Sequence, residues 1–265
     1  MEKRRIIEIK TIKSIVIKNL LEVIKQYILE TNIIISKDSI KLSSVDSSEN
    51  SYTYVKLLSE KFEIYKCEQE LTLGINILTL YKAIKTVSKR DIIILYVNED
   101  EENSLYVELF DPHVKKKKTY KIPVLILENN APLLIPEMSF DYVINISTSE
   151  FQSIIKDMHI LDGKVIDIKS IDKSLMFVCN DGIADFTTTI HELNSDEVDS
   201  KQSIKFEAST GKIVQGKFKL SYLLDLKATH LCENMNILLT NDKPLILEYF
   251  IADMGTLKMV LLPCV

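Results

Sequence analysis

The side chains that could do acid–base, nucleophilic or metal chemistry are scattered along this chain. Its four histidines, His113, His159, His191 and His230, stand apart, with no H-x-H and no H-E-x-x-H. No pair of them has the spacing that puts two zinc ligands on one helix face. The four cysteines, Cys67, Cys179, Cys232 and Cys264, form no C-x-x-C, and thiols so dispersed are expected to stay reduced in the cytosol or nucleus. In that setting the sequon at Asn145 is a chance match. Glu99 to Glu102 reads as a solvated turn, because consecutive carboxylates in a loop lack a fixed geometry. Asp167 and Asp172 suit a structural contact across a turn. There is no G-x-S-x-G, no G-x-G-x-x-G and no G-x-x-x-x-G-K, and six glycines in 265 residues nearly exclude a phosphate-cradling loop. No enzyme, cofactor or metal is expected.

Lysine is the residue type that does recur in a pattern. Segments 13–30, 76–90, 147–162 and 217–230 carry net charges of +1, +4, −2 and +2, so the remainder of a chain of net charge −5 must carry −10. Positive segments in an acidic protein suggest one surface made for a polyanion. The chain has no zinc-finger spacing, no RNP motif and no tryptophan, so contact would be to phosphates, independent of sequence and sensitive to salt. Lys115 to Lys118 could bind phosphate, but guarding an exposed edge strand against aggregation, or meeting another subunit, is the favoured reading.

The elements that must position these lysines repeat. Amphipathic spacing predicts helices over Ser14–Leu29, Asn76–Thr86, Thr148–Met158 and Lys217–Thr229. The third carries an S/T-x-x-E/Q cap, Ser149 with Gln152 or Ser147 with Glu150. Helices starting near 14, 76, 148 and 218 lie 62, 72 and 70 residues apart, each followed by an apolar strand and further short strands. One helix with about four strands, four times over, argues α+β with antiparallel sheets. Two copies precede Tyr120–Pro136 and two follow it. That stretch holds Pro123, Pro132 and Pro136 in an apolar run, so it must lie against the body or offer a docking face. The expected domains are 1–122 and 138–265, with 123–137 as connector. The N-terminus lacks the apolar core of a secretory signal, and no apolar run is long enough to span a membrane.

The chain resembles the proliferating cell nuclear antigen family of sliding clamps over nearly its whole length. The most specific piece is Pro244–Lys258, whose E-Y-x-I-A-D-M-G-x-L-K core is a family signature. Supporting pieces are Asp46-Ser-Ser, Phe62–Cys67, Leu73–Asn76, Leu134–Glu137, Glu150-Phe with Lys156-Asp157, and Lys227–Thr229. The resemblance implies a clamp fold of two similar domains, each of two βαβββ units, with sheets outside and helices lining a ring around double-stranded DNA. It implies a homotrimer in the nucleus that serves replication and repair as a processivity factor. Polymerases, nucleases and ligases bearing clamp-binding peptides dock on it, and a clamp loader opens it.

Carried over residue by residue, the DNA channel would hold Lys18, Lys25, Lys82, Lys85, Lys156 and Lys227. Asn19, Ser153 and Ser221 replace basic residues usual in the family. The partner-peptide pocket would use Val45, Glu49, Tyr52, Leu133, Ile135, Pro136, Phe140, Pro244, Val260, Leu261, Leu262 and Pro263. Glu49 stands for a histidine, Tyr52 for a smaller apolar residue and Leu262 for alanine, which would retune the pocket. The subunit interface would pair Lys116, Lys118 and Tyr120 with Asp185, Thr187 and Thr189, with Asp181, Asp185 and Glu192 answering the lysines. The thin lining and altered pocket also fit an alternative, one subunit of a heterotrimeric checkpoint or repair clamp. A magnesium-dependent nuclease is a third reading, and no cleavage is expected.

Overall fold

Alternating isoleucine, leucine and valine build most of the strands, because a two-residue period puts every second side chain on the core face. The computed structural model describes residues 3–46, 48–127, 138–192, 204–224 and 228–264. Two units result. The first comprises Met1–Ser44, Tyr54–Leu134 and Ile251–Thr256, the second Val45–Thr53, Ile135–Phe250 and Leu257–Val265.

The first half of the chain runs β1 (Arg5–Thr11), α1 (Ser14–Ile24), β2 (Glu30–Ile35), β3 (Ser39–Val45), β4 (Ser51–Leu58), β5 (Ile64–Cys67), β6 (Leu71–Asn76), α2 (Ile77–Ile84), β7 (Ile92–Asn98), β8 (Ser104–Asp111) and β9 (Lys116–Pro123). The second runs β10 (Tyr142–Ser147), α3 (Thr148–Ile160), β11 (Val165–Ile171), β12 (Ser174–Cys179), β13 (Phe186–His191), β14 (Lys205–Ser209), β15 (Val214–Lys219), α4 (Ser221–Leu224), β16 (Asn234–Leu239), β17 (Leu245–Ile251) and β18 (Gly255–Leu261). In the first unit the strand orders are β5-β1-β7-β8-β9 and β4-β3-β2-β6. In the second they are β14-β10-β16-β17-β18 and β13-β12-β11-β15. Adding nine to each strand number converts one unit into the other, so the repeat seen in the sequence is a repeat of topology. The βαβββ order appears as β1–β4 around α1 and β6–β9 around α2, and again around α3 and α4.

Helices lie side by side within each unit, α1 with α2 and α3 with α4. Helix α1 buries Leu20, Leu21, Val23 and Ile24, and α2 buries Ile77, Leu80, Tyr81 and Ile84. Asn76 caps α2 by accepting the Thr79 amide at 2.9 Å. The large fully buried side chains of the first unit are aliphatic, including Ile7, Ile9, Ile24, Leu73 and Ile75. The second adds fully buried aromatic side chains to aliphatic ones such as Ile144 and Ile166, with the Phe151 and Phe177 rings 6.0 Å apart. On the outer face of the first unit, Arg5 lies over Tyr96 at 4.0 Å and Tyr96 stacks on Tyr106 at 4.9 Å.

Three expectations are corrected. Lys217–Thr229 is not one helix: Lys217 and Lys219 end β15, and among the described residues α4 runs Ser221–Leu224. The two-residue period wins because Val214 and Phe218 are both buried on one strand face. Helix α1 stops at Ile24, and a turn follows in which Ile28 is buried and Leu29 exposed. Ser147 precedes α3 without a side-chain cap bond; its Oγ instead meets Ser149 Oγ at 2.8 Å.

Gly74 on β6 is required by a close approach. Leu125 donates its amide to Gly74 O at 2.7 Å, and a Cβ on Gly74 would sit 2.1 Å from Leu125 O. Gly74→Ala should therefore cost about 1–3 kcal/mol, read as a lower denaturant midpoint. An unchanged midpoint would mean that the segment leaving β9 is not held there.

Candidate nucleic-acid interface and docking surface

The exposed faces of the paired helices carry the candidate polyanion contacts. In the first unit Lys18 is half-buried on α1, Lys82 is exposed on α2, and Lys85 is exposed just after it. None of the three forms an ion pair among the described residues. Cations at the C-terminal end of α2 also complement its dipole, so their placement favours the fold as well as a ligand. Lys25 is different. Its Nζ lies 3.7 Å over the Tyr81 ring and 3.9 Å from Glu22, with the side chain 22% exposed. The resemblance names Lys25 as a channel position; within the unit it forms a cation–π brace between the end of α1 and α2. In the second unit Lys156 is exposed on α3. Lys227 lies outside the described residues. Lys217 and Lys219 are exposed on the strand face opposite Phe218, so the surplus assigned to a fourth helix is not on a helix.

Among the described residues, strands β9 and β13 each close one end of their sheet, with β9 bonded to β8 alone and β13 to β12 alone. Each therefore keeps one row of backbone groups free for another strand. Lys116 and Lys118 are exposed on β9, with Tyr120 half-buried. Thr187 and Thr189 are exposed on β13, and Asp185 is exposed just before it. The proposed acids are not equally available. Asp181 accepts the amides of Lys164 at 3.1 Å and Val165 at 3.0 Å. Glu192 pairs with Lys173 at 2.5 Å and accepts the Phe206 amide. Asp185 alone of the three has no such bond among the described residues.

The described part of the candidate docking surface belongs to the second unit. Val45 is 39% and Leu262 46% exposed, while Tyr52, Phe140, Pro244, Val260 and Pro263 are half-buried and Leu261 is buried. Leu133, Ile135 and Pro136 lie outside the described residues, as does most of the connector. Leu262 donates its amide to Asn50 O at 3.0 Å, which holds the strand end against the turn carrying Glu49. Glu49 is exposed and adopts φ 58°, a left-handed conformation disfavoured for a residue with a Cβ.

Asp46 holds that turn. Its carboxylate accepts the Ser51 amide at 2.6 Å, the Ser48 amide at 3.2 Å, the Ser48 hydroxyl and the Tyr222 hydroxyl at 3.0 Å. Partial burial works against its charge, but these hydrogen bonds outweigh it and hold the carboxyl at about 2. A carboxyl whose folded value is depressed stabilises above its unfolded value, near 4, and loses that contribution as pH falls toward about 2. Asp46→Ala should cost about 1–2 kcal/mol at neutral pH and little at pH 2. An equal cost at both pH values would assign the loss to packing.

The strand order, the βαβββ repeat and the paired helices with unanswered lysines define the class: a two-unit α+β clamp. The family model for the C-terminal domain of proliferating cell nuclear antigen matches residues 134–264, and that for its N-terminal domain matches residues 6–131. The chain is 27% identical over 261 residues to a probable DNA polymerase sliding clamp 1 of Paramecium bursaria Chlorella virus 1, covering 96% of this chain and 95% of that protein. It is 26% identical over 258 residues to the proliferating cell nuclear antigen of Caenorhabditis elegans, covering 97% and 96%. The chain belongs to the proliferating cell nuclear antigen family of sliding clamps.

Proposed function

We propose that this protein is a homotrimeric ring that encircles duplex DNA, acts as a processivity factor for a DNA polymerase and docks replication and repair proteins without catalysing a reaction itself. The observation that carries this reading is the exposed helix surface of the first unit, where among the described residues Lys82 and Lys85 pair with no acid in a chain of net charge −5. Such a surface suits phosphates without reading bases. The free edges of β9 and β13 supply one strand row each for a head-to-tail contact, which closes a ring when the rotation closes. The exposed Val45 and Leu262, beside the turn held by Asp46, suit an apolar peptide with aromatic anchors. Action in the nucleus, with a clamp loader to open the ring, belongs to the same proposal. Sedimentation at micromolar concentration tests the assembly. Three subunits are expected, and a monomer at every concentration would overturn the homotrimer.

One observation favours a second reading, a subunit of a heterotrimer. Of the acids placed to answer the β9 lysines, Asp181 and Glu192 are already engaged within their own unit. A partner edge richer in free acids would suit β9 better. Co-purification with two unlike, related chains would favour this reading.

A further inference from the structure

We infer that Lys116 and Lys118 on β9 contact the same DNA as α2, extending the phosphate-binding surface from the helix onto the edge strand. This rests on the DNA-clamp reading above. The lysines of β9 divide by strand parity. Lys117 and Lys121 point to the outer face. Lys117 Nζ lies 2.7 Å from Glu108 Oε2, and Lys121 Nζ lies 3.2 Å from Glu101 and 5.7 Å from the Tyr106 ring. Lys116 and Lys118 share the parity of Ile122, which is buried at 4% exposure on the core side. On that side α2 packs against β9, and Lys118 Nζ donates to Thr86 Oγ1 at 3.4 Å, one residue beyond Lys85. So the outer lysines are neutralised by acids of their own unit, and among the described residues the helix-side lysines form no ion pair. The nearby acids are otherwise engaged: Asp111, opposite Lys116 on β8, accepts the His113 amide at 2.9 Å, Glu22 accepts from Tyr81 Oη at 3.1 Å and Asp91 accepts the Ser88 amide at 2.6 Å. Lys82, Lys85, Lys116 and Lys118 thus form one run of uncompensated charge across a helix end and a sheet edge. A backbone contact between β9 and another strand leaves these side chains on the helix side, so one edge can serve both roles.

The test is the salt dependence of binding to a short linear duplex, at concentrations where sedimentation gives each variant the parent's mass. Each phosphate contact removed lowers the slope of log K against log salt by about 0.9. Lys116→Gln/Lys118→Gln should lower it by nearly 2, with Lys116→Arg/Lys118→Arg restoring it, and Lys3→Gln/Lys121→Gln, two lysines that both pair with Glu101, leaving it unchanged. An unchanged slope for the first variant, alongside a lower slope for Lys82→Gln/Lys85→Gln, would overturn the extension and leave the DNA reading standing. A parent without salt-dependent binding would overturn the DNA reading itself.

Discussion

Lys82→Glu/Lys85→Glu should weaken binding to duplex DNA by about 30-fold. Each reversal removes one attraction and adds one repulsion, and at roughly 0.5 kcal/mol per exposed charge contact the pair costs about 2 kcal/mol. Both side chains are exposed and unpaired among the described residues, so the fold should not change with them. The variant should unfold at a slightly lower midpoint, because acids at the end of α2 oppose its dipole, and keep its peptide affinity while losing salt-sensitive DNA binding and polymerase stimulation. Intact stimulation would mean that these lysines solvate the end of α2 and complement its dipole, and that DNA passes elsewhere.

Phe151→Ala should have the largest effect on stability. Phe151 is fully buried on α3, with its ring 6.0 Å from that of Phe177 at 60°. Truncation removes the transfer energy of the ring, opens a cavity and breaks an aromatic pair, together about 3–5 kcal/mol. Denaturant titration measures it. A cost below about 1 kcal/mol would mean that the second unit repacks around the gap, contrary to the dense interior expected of a folded domain.

Much of the fold was legible because one face of nearly every strand is buried. Ile166, Ile168 and Ser170 on β11 are buried while Val165, Asp167 and Lys169 are not, the period of two that sequence reading relies on. The failure at Lys217–Thr229 has a clear cause. Phe218 and Leu220 fit a strand period, Leu220, Leu223 and Leu224 fit a helical one, and only packing decides where one hands over to the other. The site was legible in composition and not in geometry. Lysine excess located the helix surface, yet the residue that occupies Lys25, Tyr81, lies 56 positions away in the chain. The turn at Glu49 is held by local bonds of Asp46 to Ser48 and Ser51 and also by Tyr222, 176 residues distant, which no local pattern encodes. The division of the β9 lysines was within reach, since parity from Ile122 assigns Lys116 and Lys118 to the core side. What the sequence lacked was which acids are already engaged.

The most direct measurement places the protein on duplex DNA with a clamp loader and compares its retention on a closed circle and on the same circle after linearisation. Encirclement predicts long retention on the circle and rapid loss from free ends. Equal release from both would contradict it.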